Sequence, residues 1–183
     1  MALHRCRRGP WSFALLSVAG ACTSPAERAA MVPPELAVAQ RHAASVATTI
    51  TRGSSGDSSA IGSADFQWAL EQAIGKAQTF RSVVRGNGAD CQLTVHFEKL
   101  TQPEMGANLT VRITARWQLQ RNGGGQALAD EVVESSHTAK WGEAFVFATR
   151  LRLATEGAAR ENIQEGLARL AKLAPIAGSS PLP

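Results

Sequence analysis

One stretch, Asn108 to Gln120, constrains this chain more than any other. Leu109, Val111, Ile113, Ala115, Trp117 and Leu119 stand at every second position, with Thr110, Arg112, Thr114, Arg116, Gln118 and Gln120 between them. Successive side chains on a β-strand point to opposite faces, so this strand has one apolar face and one polar face. At ~3.3 Å per residue it spans roughly 40 Å, longer than most strands. A sheet built on it rests one side on a core and shows the other to water, as antiparallel sheets do. The rest of the fold has to supply the cover for the apolar side.

The flanking sequence supplies partners and cover. In Cys91–Leu100, Leu93, Val95 and Phe97 alternate with Thr94, His96 and Glu98, and Pro103 and Gly106 then break the strand. Asn122-Gly123-Gly124-Gly125 is a hairpin connection, because glycine takes positive φ at little cost. Ala127–Lys140 returns as an antiparallel partner, and the adjacent Val132 and Val133 predict a bulge in it. Ser45–Thr51 and Phe80–Val84 read as shorter strands. Phe66, Leu70, Ala73, Ile74 and Ala77 recur at helical spacing, so 64–77 is a helix with Ser63 as its N-cap and Asp65 in its first turn. Trp68 falls off that stripe.

From Glu143 to Leu173 the period is helical again, through Leu151, Ala154, Ala158, Ile163, Leu167, Leu170 and Ala174. The stripe slips near Asn162, which predicts a kink there or at Gly157. Arg152–Glu156, Glu156–Arg160 and Glu165–Arg169 are spaced i,i+4 and are expected on the wet face. Pro175 ends the helix. The expected architecture is α+β: a mostly antiparallel meander sheet with two helices packed on one face.

The amino terminus speaks of address. His4, Arg5, Arg7 and Arg8 form a positive segment, followed by a short apolar core from Trp11 to Val18. Eight residues are too few to span a bilayer, and this is the layout of an export signal. Ser17-Val-Ala-Gly-Ala-Cys22 then resembles the lipobox of bacterial lipoproteins, in which the cysteine is acylated and becomes the first residue. The position three before the cysteine is Ala19, where that motif usually has leucine. An ordinary secretory signal cut after Ala19-Gly20-Ala21 is the alternative; both readings take the protein out of the cytoplasm. The lipobox reading implies a membrane anchor at Cys22, and Thr23, being other than Asp, implies the outer membrane and its periplasmic face.

This divides the chain into a signal peptide (1–21), a lipidated tether (22–44), an α+β domain (45–174) and a disordered tail (175–183). Pro25, Pro33 and Pro34 suit a tether that stands the domain off the membrane. Cys6 leaves with the signal and Cys22 takes the lipid, so Cys91 has no intramolecular partner and reads as a buried strand residue.

Charge excludes one class of function. Without Arg5, Arg7 and Arg8, the 19 basic residues fall to 16 against 15 acidic ones, and the formal charge falls from +4 to near +1. Nothing in that balance favours nucleic acid. Motifs of catalysis are missing too. No Gly-x-Ser-x-Gly elbow occurs, no pair of histidines stands at i,i+4, and no Cys-x-x-Cys is present. The glycine- and serine-rich stretch from Gly53 to Gly62 lacks the Gly-Lys-Ser/Thr of a phosphate loop. Neither a cofactor nor a metal is expected, and no enzyme.

Two constellations are candidates for binding. His96 and Glu98 should face Arg112 and Arg116 across neighbouring strands. That set reads either as solvated cross-strand charge pairs or as a site for an anionic group, which Arg holds in fork geometry. Trp141 and Phe145 (with Phe147) cluster where the last helix begins, either closing the core or forming an exposed apolar patch for a partner.

The loop His137-Thr-Ala-Lys-Trp-Gly-Glu-Ala-Phe145 and the segment Arg150-Leu-Arg-Leu-Ala-Thr-Glu-Gly-Ala-Ala-Arg-Glu-Asn-Ile163 resemble uncharacterised lipoproteins of Gram-negative envelopes, over roughly residues 65–173. In outline the element order is also similar to lipopolysaccharide-assembly lipoproteins and to the amino-terminal domain of curli-secretion lipoproteins. The resemblance implies a non-enzymatic binding or assembly accessory of the envelope, with an envelope protein as partner. The alternative is a carrier for a lipid or other apolar ligand held between sheet and helices.

Overall fold

The computed structural model describes residues 25–36, 38–53, 60–123 and 127–178. The signal peptide, Cys22, the middle of the Gly53–Gly62 loop, the glycines 124–125 of the hairpin and the end of the tail lie outside the described residues. Five strands form one sheet: β1 (His42–Arg52), β2 (Phe80–Val83), β3 (Cys91–Thr101), β4 (Leu109–Arg121) and β5 (Ala127–Ala139), in the spatial order β2-β1-β3-β4-β5. Two helices, α1 (Ser63–Ala77) and α2 (Phe147–Leu170), complete an α+β fold.

Alternation decides the faces as expected. Leu109, Val111, Ile113, Ala115, Trp117 and Leu119 of β4 are buried, as are Cys91, Leu93, Val95 and Phe97 of β3. Antiparallel pairing brings Leu93 opposite Leu119 and Val95 opposite Trp117. Both helices cover this side: Phe66 of α1 meets Phe97 edge-on, with centroids 4.8 Å apart, and Trp117 reaches Asn162 of α2.

The sheet is not a simple meander. β1 lies between β2 and β3 and runs parallel to both, with Val46 beside Cys91 and His42 beside Phe80. A parallel neighbour needs a crossover, and α1 provides it between β1 and β2. The antiparallel ladders of β3, β4 and β5 make up the larger part of the sheet. Val132 and Val133 pair in register with Arg116 and Ala115, so the expected bulge is not there; irregularities fall instead at Phe97/Lys99 and Leu119/Gln120. Val133 faces the helices, and Val132 is simply an apolar residue on the wet side.

Helix α1 starts one residue earlier than the N-cap reading required. Gly62 is the N-cap and makes no side-chain cap, while Ser63 is already helical. Helix α2 runs unbroken from Phe147 to Leu170, with no interruption at Gly157 or Asn162. Those residues break the apolar stripe because they are contact points on the sheet side. A Cβ on Gly157 would lie 2.2 Å from the His137 ring, and one on Gly166 would lie 2.4 Å from Trp117. Glycine in a helix costs about 1 kcal/mol relative to alanine, and close approach to two rings is what it supplies here.

Asn162 closes the same seam. Its Oδ1 accepts from Trp117 Nε1 at 3.1 Å, and its Nδ2 donates to the Val133 carbonyl at 3.1 Å and to Ser135 Oγ at 3.2 Å. Ser135 Oγ donates in turn to the Ala158 carbonyl. Arg169 donates to the Val132 carbonyl, so side chains of α2 occupy acceptors of β5 at the sheet edge, where open pairing groups invite aggregation.

Residues expected as tether and tail contribute to the core. Ala26, Met31 and Pro33 are buried around a 3-10 turn, Arg28–Met31, that touches both helices. The Glu27 N–H donates to Glu156 Oε1 at 2.8 Å, and Arg152 bridges Glu27 and Glu156. Glu156 is therefore buried under residue 27 and not on the wet face. At the other end, Ile176 is buried, and its N–H donates to Nδ1 of the buried His42, whose Nε2 faces the Leu170 carbonyl at 3.0 Å. That arrangement requires the tautomer with the proton on Nε2.

Replacing Gly75, whose Cβ position is open space on the exposed side of α1, by alanine is expected to raise stability by about 0.5–1 kcal/mol. Gly166→Ala is expected to lower it by about 1–3 kcal/mol despite the same propensity gain, because the new methyl overlaps Trp117. Urea midpoints of the two variants check this. Shifts of the same sign would mean that Trp117 does not set the spacing of α2 from the sheet.

Candidate functional site

The polar face of the sheet assembles the first candidate set. β3 and β4 pair so that His96 stands opposite Arg116, and Thr101 opposite Arg112. Glu98 sits at the irregularity between Phe97 and Lys99, where its carboxylate comes within 3.3 Å of Arg116 Nε. Asp130 of β5 approaches the same guanidinium at 3.5 Å. Arg116 is thus flanked by two carboxylates, and His96 Nδ1 is 2.9 Å from Thr51 Oγ1 on β1. All of these side chains are at least partly exposed, where ion pairs contribute little to stability.

Arg112 is different. It is exposed and has no ion-pair partner among the described residues. It lines an open groove with Lys99, Thr101, Thr114, Glu134 and Ser136. Of the four residues expected to act together, three form one cross-strand group, while Arg112 stands two pleat repeats along β4 from Arg116, beyond Thr114, with its charge available.

His137 lies on the opposite side of the sheet from His96, packed on Gly157 with Nδ1 2.8 Å from Glu161 Oε1. The two histidines therefore share no cleft. No group of three or more His, Cys, Asp or Glu residues placed to hold a metal ion occurs among the described residues. An apolar niche bounded by Arg52, Ile61, Phe97 and Leu100 has a volume of about 10 Å³, room for one water and for no acyl chain.

The second candidate set lies at the end of the sheet where β5 hands over to α2. Trp141 is 52 % exposed and Phe145 82 % exposed, so neither closes the core. Their loop is nevertheless held firmly. The buried Arg150 donates to the carbonyls of Ala144 and Phe145 at 2.7 and 3.0 Å and reaches that of Gly106 at 3.4 Å. Its guanidinium stacks 4.5 Å from the Trp141 ring centroid. The Trp141 N–H donates to Asn108 Oδ1, and Glu143 accepts from the Lys140 N–H. One buried cation thus ties the Gly106 turn, the aromatic loop and the start of α2 together.

Sequence reasoning named the exposed aromatics but not Arg150, which read as one more polar residue of a helix face. A signal existed: an arginine one helical turn after a helix start points back at carbonyls of the incoming loop.

Searches of the sequence against protein-family models and against curated proteins find no match. Solved structures do resemble the fold. Protein XCC0632 of Xanthomonas campestris, of family DUF330, aligns with a TM-score of 0.58 at 12 % identity, over 75 % of this chain and 89 % of its own. A protein of Caulobacter crescentus assigned as a lipoprotein aligns at 0.50 and 15 % identity, over 69 % and 87 %. The hypothetical protein CT253 of Chlamydia trachomatis gives 0.50 at 9 % identity, over 70 % and 98 %. The likeness is one of fold. No reaction is named for any of the three.

Cys91 offers a check on the described core. It is a free, fully buried cysteine; burial pushes its thiol up, Asp90 adds to this and Arg121 opposes it. The reactive species is the thiolate. A thiol reagent at neutral pH should leave Cys91 untouched in the folded protein and label it in urea, and the onset of labelling should lie on the alkaline side of an ordinary cysteine. Rapid labelling of the folded protein at neutral pH would contradict this packing.

Proposed function

We propose that this chain is a non-enzymatic lipoprotein of the cell envelope, anchored through Cys22, whose α+β domain binds or helps assemble another envelope component. The observation that carries the reading is the lipobox-like Ser17–Cys22 standing immediately before a domain with the fold of a bacterial lipoprotein. Two acyl chains on one residue pass the threshold for stable membrane attachment. Among the described residues no helix is long and apolar enough to cross a membrane. The outer membrane, periplasmic side, is the proposed location, on the strength of Thr23 after the cysteine.

Arg112 is the residue we assign to partner contact on the polar face. It carries a charge with no ion pair among the described residues, beside Lys99 and in an open groove suited to a carboxylate or phosphate. Arg116, between Glu98 and Asp130, already has its charge matched within the protein. The expected resemblance in element order to lipopolysaccharide-assembly and curli-secretion lipoproteins carries none of this reading, because one fold hosts many functions.

Mass spectrometry of the amino terminus of protein purified from envelopes should find an acylated Cys22 as the first residue. Cys22→Ser should move the protein from the membrane pellet to the soluble fraction. In affinity capture from envelopes, Arg112→Ala should reduce recovery of the partner severalfold and Arg116→Ala less so. Equal capture by both variants and the unaltered protein would leave the polar face as solvated surface only.

A further inference from the structure

The folded domain meets the incoming chain at one end, and among the described residues the same end carries every large exposed apolar side chain except Val132. The pairings of Arg52 with Phe97 and of Leu109 with Ala139 place the last residues of β1, β3 and β5 and the first of β4 together. Residue 26 is at this end as well, its N–H on the Ala60 carbonyl just before α1. Glu27 touches Arg152, five residues into α2 from Phe147, about 8 Å along the helix. Between them, Leu100, Pro103, Phe147 and Leu151 line an open groove.

Chain length then limits the geometry. Cys22 stands four residues before the buried Ala26, and four extended residues span roughly 14 Å at most. A lipid on Cys22 holds this end of the domain that close to the bilayer, so the segment is too short to stand the domain off. Met105 (82 % exposed) and Val146 (63 %) project here beside Trp141, Phe145 and Phe147. Arg150 and Asn108 hold the main chain of the loop at Trp141, Ala144 and Phe145, and the Trp141 ring rests on the Arg150 guanidinium with half its surface exposed.

We propose that this end, with Met105, Trp141, Phe145, Val146 and Phe147, is seated in the interfacial layer of the bilayer that carries the Cys22 lipid. The proposal rests on the anchor proposed above. Tryptophan and other amphipathic or apolar side chains favour that layer. The charges around them are mixed, Lys140 against Glu104 and Glu143, so apolar area and not headgroup charge drives the seating. The strands then run out from the membrane, and the face bearing Arg112 stands upright and open to a partner.

The test uses acylated protein purified from envelopes, its amino terminus verified by mass, reconstituted in phosphatidylcholine vesicles with brominated acyl chains. Subtracting the emission of a Trp141→Phe variant isolates Trp141. Brominated lipid should quench that component, aqueous iodide should scarcely reach it, and adding anionic lipid should change little. Quenching by iodide and not by bromine, with Cys22 acylated, would overturn the seating while leaving the anchor. Shielding from both quenchers would overturn it in favour of a second copy or another protein on this end. An unacylated Cys22 would remove the anchor and this proposal with it.

Discussion

The side-chain amide of Asn162 holds this fold to its particular form. It lies wholly buried in the seam between α2 and the sheet, and its oxygen and nitrogen both have protein partners there, on β4 and β5. A polar group in that place without partners costs about 1–3 kcal/mol, so the seam tolerates one registration of helix on sheet. Gly157 and Gly166 admit the His137 and Trp117 rings on either side of it. A helix shifted along the sheet by a turn would set side chains against both rings and leave the amide unsatisfied.

Much of the molecule depends on that registration. With α2 in place, Arg150 stands under the aromatic loop, Arg152 and Glu156 meet residue 27, and Leu170 meets His42. One helix thus connects the end where the chain arrives to the opposite end, where Ile176 closes over β1. The polar face of the sheet is independent of this arrangement. Glu98 and Asp130 balance Arg116 across strands, whereas Arg112 has no ion-pair partner among the described residues.

The two faces divide the work in the proposed function. Apolar side chains on a rigid loop lie near the anchor, and a charged groove lies on the sheet face away from the helices. Both are surfaces, which suits a protein that holds position and makes contacts.

Legibility followed range. The faces of β3 and β4 and the stripe of α1 were plain in the residues, since alternation and helical period are properties of a few neighbours. The adjacency of His96, Glu98 and Arg116 followed from two alternating strands and a hairpin. Placement of β1 between two parallel neighbours did not, because strand order depends on which distant segments meet. Met31 and Ile176 looked like linker residues for the same reason: a lone apolar side chain has no period, and its burial depends on what lies opposite. Asn162 and Gly157 looked like faults in a helix and are its points of contact. By itself, then, the sequence determined the wet and dry faces of the sheet and the helical cover. Tertiary structure alone decided the strand order, the rigid display of Trp141 and Phe145 and the burial of Ala26 and Met31 against the helices, because each of these is set by contacts between segments far apart in the chain.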